Sequence, residues 1–473
     1  MYRKIDHHIL KKLGEIAGQE NVISDQEKIT DYSHDESSSR DIAHPPEVVV
    51  KPGRAEEVAA VLELASHERI PVTPRGGATG LCGGCVPVYG GIVLSLERMN
   101  RIIELDRDNQ MAVVEPGVTL GEFNRAVEEA GLSFPPHPGD ESAQIGGLIA
   151  TNAGGSRAVK YGVIRNYVRG LEVVLPQGEI IRLGGKLMKT STGYSLLQLL
   201  IGSEGTLGVI TRAVIQLLPA LPVTRSLVIP FADIGAAIET VPLLLGRKIT
   251  PLAVEFIEAE VIRITEEFLR KRWPSRAGET YLLVILDASS EEEMDLLSEA
   301  VAEVCLGKGG IDVFIADTPK KQDEVLEIRS KIYEAIKSQT VEILDICIPR
   351  AEIAGHVRRV REISKKRAIW LPTFGHAADG NVHTHIMKAR CAEGKMIPVP
   401  DEEWRAKVDL VRDELYADCR ARGGVISGEH GIGLVKKPFL SLVLDDVQIR
   451  LMKEIKKLFD PHLILNPGKI FDS

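Results

Sequence analysis

The residues best suited to chemistry are histidines in the last third of the chain. The stretch GHAADGNVHTH carries His376, His383 and His385, and the later stretch GEHGIG carries Glu429 and His430. Two histidines and a carboxylate are common ligands of zinc, and also of iron or manganese. Since three protein ligands leave one coordination position open, His376, His383 and Glu429 predict a catalytic metal site rather than a structural one.

The turn signal Asp379-Gly380-Asn381 predicts that His376 and His383 flank a turn between two paired strands. A divalent cation lowers the pKa of an oxygen that it binds by several units, and a neighbouring histidine can then accept a proton near neutral pH. The alternative, that some of these histidines are satisfied core or turn residues, stays open at this point.

Three glycine-rich segments form a second group in the first half of the chain. They read PRGGATGLCGG from Pro74, IGGLIATNAGG from Ile145 and GSEGTLGVI from Gly202. Glycine lets the backbone approach a ligand closely, and successive N–H groups in such turns converge on anions such as pyrophosphate. The sequence contains neither the P-loop motif nor G-x-G-x-x-G. Three such segments favour a ligand as long as a dinucleotide, with ordinary surface turns as the alternative.

These segments, followed by NPGK at 466–469, resemble in content and order the FAD-binding fold of the vanillyl-alcohol oxidase/p-cresol methylhydroxylase superfamily. Within it, the chain resembles the branch that holds the glycolate oxidase D-subunit and FAD-linked D-lactate dehydrogenase. The resemblance implies an α+β protein: a two-subdomain FAD-binding domain at 1–221, a substrate or cap domain with helices on an antiparallel sheet at 222–430 that carries the metal site, and a segment at 431–473 that returns to the FAD domain.

The same resemblance implies which residues bind non-covalent FAD. The first segment would wrap the pyrophosphate, and Asn466 would approach the flavin from the C-terminal segment. The implied cofactor contacts are Arg75, Gly76, Gly77, Ala78, Thr79, Gly80, Leu81, Gly139, Asp140, Gly146, Gly147, Asn152, Gly154, Gly155, Gly162, Ile210 and Asn466.

Catalytic roles are also implied by the resemblance. Residues matching His376, His383 and Glu429 hold a divalent metal in metal-containing relatives, and the residue matching His430 is the base. His385 lies where some relatives place a polar substrate contact. Arg329 matches an arginine that binds the substrate carboxylate. A guanidinium can donate two parallel hydrogen bonds to the two oxygens of a carboxylate. The sequence predicts that Arg329 opens a helix, and a solvated helix face is the alternative role.

The implied reaction is oxidation of a small D-2-hydroxy acid, such as D-lactate or glycolate, with hydride transfer to flavin N5. Relatives that act on D-2-hydroxyglutarate carry a further cation shortly before the aspartate matching Asp345, where this chain has Ile343 and Leu344. D-2-hydroxyglutarate and other D-2-hydroxy acids remain alternatives. So do a non-redox flavoenzyme such as alkyl-dihydroxyacetone-phosphate synthase, a flavin-free metallohydrolase and a silent FAD-binding subunit.

The electrons of the reduced flavin are expected to pass to a partner that accepts them. The sequence carries no iron–sulfur, haem or nicotinamide motif, and the pair Cys82 and Cys85 is interpreted as packing. Family members pass electrons to an electron-transferring flavoprotein, an iron–sulfur subunit, a cytochrome or a quinone. The sequence does not choose among these acceptors.

Composition sets the remaining bounds. The 473 residues, 44% hydrophobic with a net charge of -9, predict a multidomain globular protein and give no indication of the basic surface that nucleic-acid binding needs. Strands alternate with helices predicted at Ala55–Arg69, Thr119–Ala130 and Lys321–Ser338. The N-terminus lacks a signal-peptide pattern, so we expect a cytoplasmic protein. Membrane attachment through a partner and a homodimer are open alternatives.

Overall fold

The computed structural model of the protein describes residues 2–37, 42–392 and 394–472. The chain divides into two compact units: unit 1 is Met1–Gly154, Val163–Ala220 and Glu429–Ser473, and unit 2 is Gly155–Gly162 and Leu221–Gly428. This division differs from the predicted domain boundaries at residues 155–162, 221 and 429–430. The boundaries of the functional domains stay a prediction.

Helices and strands are numbered separately along the chain. The helices are α1 His7–Ala17, α2 Gln26–Ile29, α3 Ala55–Glu68, α4 Leu120–Glu129, α5 Ile145–Thr151, α6 Ala158–Tyr161, α7 Leu196–Leu200, α8 Ile234–Gly246, α9 Ala259–Leu269, α10 Glu291–Leu306, α11 Pro319–Ser330, α12 Ile332–Ile336, α13 Ile353–Arg367, α14 Asp401–Ala421 and α15 Asp446–Phe459. The strands are β1 Val22–Ile23, β2 Val48–Val50, β3 Val72–Arg75, β4 Ile92–Ser95, β5 Ile102–Asp106, β6 Met111–Val114, β7 Leu132–Ser133, β8 Val168–Val174, β9 Ile180–Gly184, β10 Val209–Gln216, β11 Leu218–Pro219, β12 Val223–Phe231, β13 Ala253–Glu258, β14 Thr280–Ala288, β15 Phe314–Ala316, β16 Thr340–Cys347, β17 Thr373–His376, β18 Asn381–Met387, β19 Ala389–Ala392 and β20 Lys395–Pro398.

Unit 1 contains two main sheets. The first has the order β1-β2-β4-β3 and is parallel except for β1, and the second is an antiparallel sheet of order β5-β6-β10-β8-β9. The predicted helix at Ala55–Arg69 is α3, which buries Val58, Val61, Leu62 and Ala65 at the spacing of one helix face. Two such subdomains agree with the predicted α+β architecture.

The C-terminal segment completes the core of unit 1. Ile464 and Leu465 are fully buried in the same apolar cluster as Val72 on β3. The Val72 N–H donates to the Ile464 carbonyl at 2.8 Å, and the Asn466 N–H donates to the Val72 carbonyl at 2.7 Å. This pairing fixes Asn466 beside the start of the first glycine-rich segment.

Unit 2 is built on an antiparallel seven-stranded sheet of order β15-β12-β14-β13-β17-β18-β16. Apolar side chains of α9, α11 and α12 pack on one of its faces in a single cluster with strand residues that include Ile257 and Phe374. Helices α8 and α10 contact β12 and β14. The prediction of helices on an antiparallel sheet is therefore confirmed.

One predicted helix was wrong. The segment predicted as a single helix at Lys321–Ser338 forms α11 and α12, which are separated by Lys331 in a non-helical conformation. Helix α11 begins earlier than predicted because the Thr318 side chain caps the Lys321 N–H and Pro319 occupies the first turn. Within the parts of the chain that the structure describes, no helix is both long and apolar enough to cross a bilayer.

Candidate active site

Five polar side chains share one face of the unit 2 sheet. In the strand register, Glu255 lies opposite His376, His376 lies opposite Asn381, and His383 lies opposite Asp345. Residues that lie directly opposite on neighbouring strands, and residues two apart on one strand, point to the same side of a sheet. All five are buried, so they form a polar group in the interior of unit 2.

His376 ends β17 and His383 lies within β18, so the prediction that they flank a turn between paired strands is confirmed. Gly380 in the turn has a φ of 99°, which glycine adopts without strain. The two imidazole rings are edge to face, with centroids 5.4 Å apart. This is a spacing at which two histidines can share one metal ion.

Glu255 on β13, which was not among the residues predicted from the sequence, joins two of the predicted site residues. Its Oε1 lies 2.5 Å from Nδ1 of His376, and its Oε2 accepts a hydrogen bond from Nε of Arg329 at 2.9 Å and a second from Nη2. Burial acts to raise the pKa of the Glu255 carboxyl, but Arg329 and His376 outweigh that effect and lower the pKa to about 2. The signal for Glu255 was a carboxylate inside the apolar strand AVEFIE.

Asp345 on β16 is fully buried and fixes the segment that leads to Glu429. Its Oδ1 accepts from the Asn381 side chain at 2.8 Å, and its Oδ2 accepts from the Ser427 hydroxyl at 2.9 Å and the Gly428 N–H at 3.1 Å. Oδ1 also lies 4.0 Å from Nδ1 of His383. Glycine is required at 428, because a Cβ there would lie 2.4 Å from the Asn381 side chain.

Arg329 and His385 lie beside this group. Arg329 is in the last turn of α11, so the prediction that it opens a helix was wrong, and its guanidinium lies 5.3 Å from the centre of the Phe374 ring. His385 is 2% exposed and stacks on Phe374 with ring centroids 4.9 Å apart, while the Tyr333 ring lies 5.8 Å away. Arg329, His383 and His385 therefore surround Phe374 in unit 2.

Glu429 and His430 belong to unit 1 and begin its last segment. The His430 Nε2 lies 3.8 Å from Oε1 of Glu429. The same segment is held by Glu204, whose carboxylate accepts from the Ile432 and Gly433 N–H groups at 2.8 Å each. Burial raises the pKa of the Glu204 carboxyl. Glu204 lies in the third glycine-rich segment, for which the sequence predicted only contacts with the cofactor.

The first glycine-rich segment leaves β3 and is anchored by Arg75. The guanidinium donates to the carbonyls of His34 at 2.7 Å and Asp31 at 2.9 Å and lies over the Tyr32 ring. Its side chain thus secures 31–34, whereas the backbone that follows forms the loop. Ala78 adopts a φ of 57° within that loop.

Residues from all three glycine-rich segments converge within unit 1. The Asn466 side chain donates to the carbonyls of Gly84 at 2.9 Å and Glu204 at 2.8 Å, and the Glu204 N–H donates to the Ala150 carbonyl at 2.8 Å. A Cβ on Gly77 would lie 3.0 Å from the Ser142 carbonyl. Hydrogen bonds and close contacts therefore join residues of all three segments and the C-terminal Asn466.

The other predicted cofactor residues occupy turns or strand positions close to these segments in the chain. Asn152 ends α5 with a φ of 52° and accepts from the Arg165 N–H at 3.0 Å, while Asp140 accepts from the Ser142 N–H at 2.8 Å. Ile210 is a buried residue of β10. Gly155 and Gly162 have positive φ values and belong to unit 2. The contacts of these residues with FAD stay a prediction.

Two observations in unit 1 fit a bound dinucleotide. Gly146 packs against the protein, because a Cβ there would lie 2.5 Å from Pro116. By contrast, a Cβ on Gly147 or Gly139 would meet no atom of the described residues within 4 Å. In addition, the buried acceptors Oε1 of Gln144 and Oδ1 of Asn466 have no hydrogen-bond partner among the residues that the structure describes. Open glycines and unpaired buried acceptors suit a ligand that donates hydrogen bonds.

Comparisons with known proteins agree with this arrangement. Residues 46–184 match the family described as FAD binding domain, and residues 221–470 match that described as FAD linked oxidases, C-terminal domain. The chain is 47% identical to D-lactate dehydrogenase of Archaeoglobus fulgidus over 89% of this chain and 91% of the relative, and 36% identical to glycolate oxidase subunit GlcD of Bacillus subtilis over 99% and 97%. Among solved structures, p-cresol methylhydroxylase with bound substrate superposes with a TM-score of 0.76 at 19% identity, covering 98% of this chain and 96% of that chain, which shows the shared fold.

Proposed function

Because this chain belongs to the family of FAD-linked oxidases, we propose that it oxidises a small D-2-hydroxy acid, D-lactate or glycolate, to the 2-oxo acid. The observation that carries the proposal is the buried polar face of unit 2, where His376, His383, Glu255 and Arg329 are held together. The similarity to D-lactate dehydrogenase and glycolate oxidase relatives supports the same substrate class.

We propose that FAD is held non-covalently by the three glycine-rich segments and Asn466. The open Cα positions at Gly139 and Gly147 and the unpaired oxygen of Asn466 support this assignment. When bound, the flavin supplies an acceptor for the hydride that leaves C2 of the substrate. The burial of His376, His383 and Glu255 limits the access of water to their face of the sheet.

We propose that His376 and His383, with Glu429, hold a divalent metal. Glu429 directly follows Gly428, whose N–H is bound by Asp345. Two imidazoles and a carboxylate suit zinc, and also iron or manganese. When bound, such an ion would supply the positive charge that makes a nearby hydroxyl more acidic. His430 is the proposed base for the hydroxyl proton of the substrate, since imidazole is effective near neutral pH.

Arg329 is the proposed anchor of the substrate carboxylate, and His385 is proposed as a polar contact in the same region. The guanidinium binds Glu255 through Nε and Nη2, which leaves its other edge for the substrate. Ile343 lies opposite His385 on the same sheet face, so an apolar residue stands where dicarboxylate-specific relatives are expected to carry a cation. This favours a small monocarboxylate over D-2-hydroxyglutarate.

The reduced flavin requires an electron acceptor, which we propose to be a partner protein or a quinone. An electron-transferring flavoprotein, an iron–sulfur subunit and a cytochrome are the candidate classes of protein. Purification of the native protein without tags, followed by iron, haem and flavin assays of whatever accompanies it, distinguishes these classes.

An anaerobic bleaching screen tests the proposed reaction. The purified flavoprotein is mixed with D-lactate, L-lactate, glycolate, D-2-hydroxybutyrate, malate and 2-hydroxyglutarate, and the visible absorbance of the flavin is followed. We expect D-lactate or glycolate to bleach the flavin fastest and L-lactate to leave it oxidised. Bleaching by 2-hydroxyglutarate alone, or by none of these acids, contradicts the proposal.

A further inference from the structure

Glu255 uses its two oxygens for two different functional side chains. Oε1 faces Nδ1 of His376, and Oε2 accepts from Arg329. The side chain is only 2% exposed, so these two residues replace water as its partners. One rigid carboxylate thus connects a candidate metal ligand on β17 with the candidate substrate anchor on α11.

The contact with His376 would determine which ring nitrogen is available to a metal. In the neutral imidazole, a separation of 2.5 Å between Nδ1 and an ionised carboxylate oxygen favours the tautomer in which Nδ1 carries the proton and donates it in a hydrogen bond. Nε2 then presents its lone pair away from Glu255. A carboxylate bound to the far nitrogen of a metal-binding histidine fixes its tautomer and ring orientation and increases its basicity.

The contact with Arg329 fixes the guanidinium in the same way. Two of its N–H groups bind one oxygen of Glu255, and the guanidinium lies 5.3 Å from the centre of the Phe374 ring. A guanidinium held along one edge loses little further freedom when its other edge binds a carboxylate. Arg329 is therefore preorganised for the substrate rather than free to rotate.

We propose that Glu255 is a positioning residue that sets the geometry of the metal ligand His376 and of the substrate anchor Arg329 together. This inference rests on the proposed function for the roles of those two residues. A purely structural role, in which Glu255 only neutralises a buried arginine, predicts a loss of stability without a specific loss of metal affinity.

The variant Glu255→Gln keeps the shape of the side chain but offers one acceptor oxygen, so it cannot accept from both His376 and Arg329. We expect the affinity for Zn²⁺, measured on the flavin-loaded protein by competition with a chromophoric chelator, to fall about 10–100-fold. The KM for D-lactate should rise, and the flavin content should stay that of the wild type.

Glu342→Gln is the matched control. Glu342 is a buried carboxylate on β16 of the same sheet and binds Arg412 through Nε at 2.9 Å and Nη2 at 2.6 Å. It lies one residue from Ile343 and so points to the opposite face. This control should lose a similar amount of stability and keep the zinc affinity of the wild type.

The outcomes separate this inference from the proposed function. Glu255→Gln with the zinc affinity of the wild type, or a wild-type protein that does not bind Zn²⁺, overturns the positioning role. A selective loss of zinc affinity in a protein that none of the acids bleaches supports the positioning role while the proposed function fails. If circular dichroism shows that Glu255→Gln does not fold, Glu255→Asp is tested in its place. The shorter side chain of this variant must also lower the zinc affinity if Glu255 positions His376.

Discussion

Glu255 and Asp345 are buried carboxylates of unit 2, and each of them keeps specific hydrogen-bond donors. Asp345 binds Asn381, Ser427 and Gly428, while Glu255 binds an arginine and faces a histidine. A buried carboxylate without partners is strongly disfavoured, so these donors are a condition for the fold as well as for the site. At the scale of the residue, structure and proposed chemistry therefore depend on the same contacts.

The proposed roles of His376 as a metal ligand and of His430 as the base can be tested by substitution. His376→Ala should lose bound zinc and keep FAD, because His376 lies on β17 of unit 2, whereas the glycine-rich segments lie in unit 1 except for Gly155. His430→Ala should keep FAD and zinc but lower turnover about 10²–10⁴-fold, the usual contribution of a general base. Metal analysis, flavin content and dye-reduction rates measure these effects. Unchanged turnover in His430→Ala contradicts the assignment of the base.

Lys469 makes the stability of the fold depend on pH. Burial lowers the pKa of this lysine to about 8, and its Nζ donates to the Val86 carbonyl at 2.7 Å. Between about pH 8 and the unfolded value near 10.5, the unfolded chain binds one more proton than the folded one, so stability rises with pH in this window. Below pH 8 the buried lysine stays charged in the folded state, which lowers the free energy of unfolding by about 3 kcal/mol.

We therefore expect the free energy of unfolding of the wild type, relative to Lys469→Met, to increase when the pH is raised from 7 to 9.5. Urea titrations at both pH values measure the difference. Lys457→Met, on the exposed surface of α15, is the control for the loss of a lysine charge. The same difference at both pH values would contradict the burial of a charged ammonium group.

At the scale of the element, short segments present their functional atoms through glycine and turn geometry. The β17–β18 hairpin brings His376 and His383 onto one face because the pleat repeats every two residues. Helix α5 contains two adjacent glycines with different surroundings. A Cβ on Gly146 would meet Pro116 at 2.5 Å, and a Cβ on Gly147 would meet no atom of the described residues within 4 Å.

This contrast makes a prediction about FAD. Gly147→Ala should leave the apoprotein as stable as the wild type or about 0.5–1 kcal/mol more stable, because glycine is unfavourable within a helix. Its affinity for FAD should nevertheless fall at least about 10-fold, since an interaction loss of about 1.4 kcal/mol corresponds to that factor. Flavin fluorescence titration of the apoprotein measures it.

Gly146→Ala is the matched comparison on the same helix. It should destabilise the apoprotein itself by about 1–3 kcal/mol, because the added methyl group overpacks against Pro116. If Gly147→Ala binds FAD as tightly as the wild type, the open side of α5 does not face the cofactor.

At the scale of the whole molecule, unit 1 is assembled from three separate stretches of the chain. Leu465, near the C-terminus, is fully buried in the same cluster as Ile9, near the N-terminus, and Val72 on β3. The last stretch is thus part of the core and carries Asn466 into the candidate cofactor site.

Leu465→Ala should lower the free energy of unfolding by about 2–5 kcal/mol and should also weaken FAD binding. Leu458→Ala on α15 is the control, because that side chain is 77% exposed and its loss should change stability by no more than about 0.5 kcal/mol. Thermal melts and flavin retention on gel filtration measure both. Equal behaviour of the two variants would contradict a core that depends on the C-terminal stretch.

The sequence alone was sufficient for features that local signals encode. The Asp-Gly-Asn turn predicted the histidine hairpin, and the order of the motifs, through the resemblance that it carries, predicted the α+β class. The contacts of the dense glycine runs with FAD stay a prediction. Each of these features depends on residues that are close together in the chain, and the types of such residues indicate the local backbone conformation. The break between α11 and α12 and the position of Arg329 at a helix end were not encoded in that way.

Tertiary structure alone decided the partners of the buried carboxylates. Glu255 meets Arg329 across 74 positions and His376 across 121, and Glu204 meets Ile432 across 228. Such pairs arise when distant strands and segments align in register, and no periodicity within one strand specifies which residue will lie opposite. Only the folded chain therefore reveals that one carboxylate holds the histidine and the arginine together.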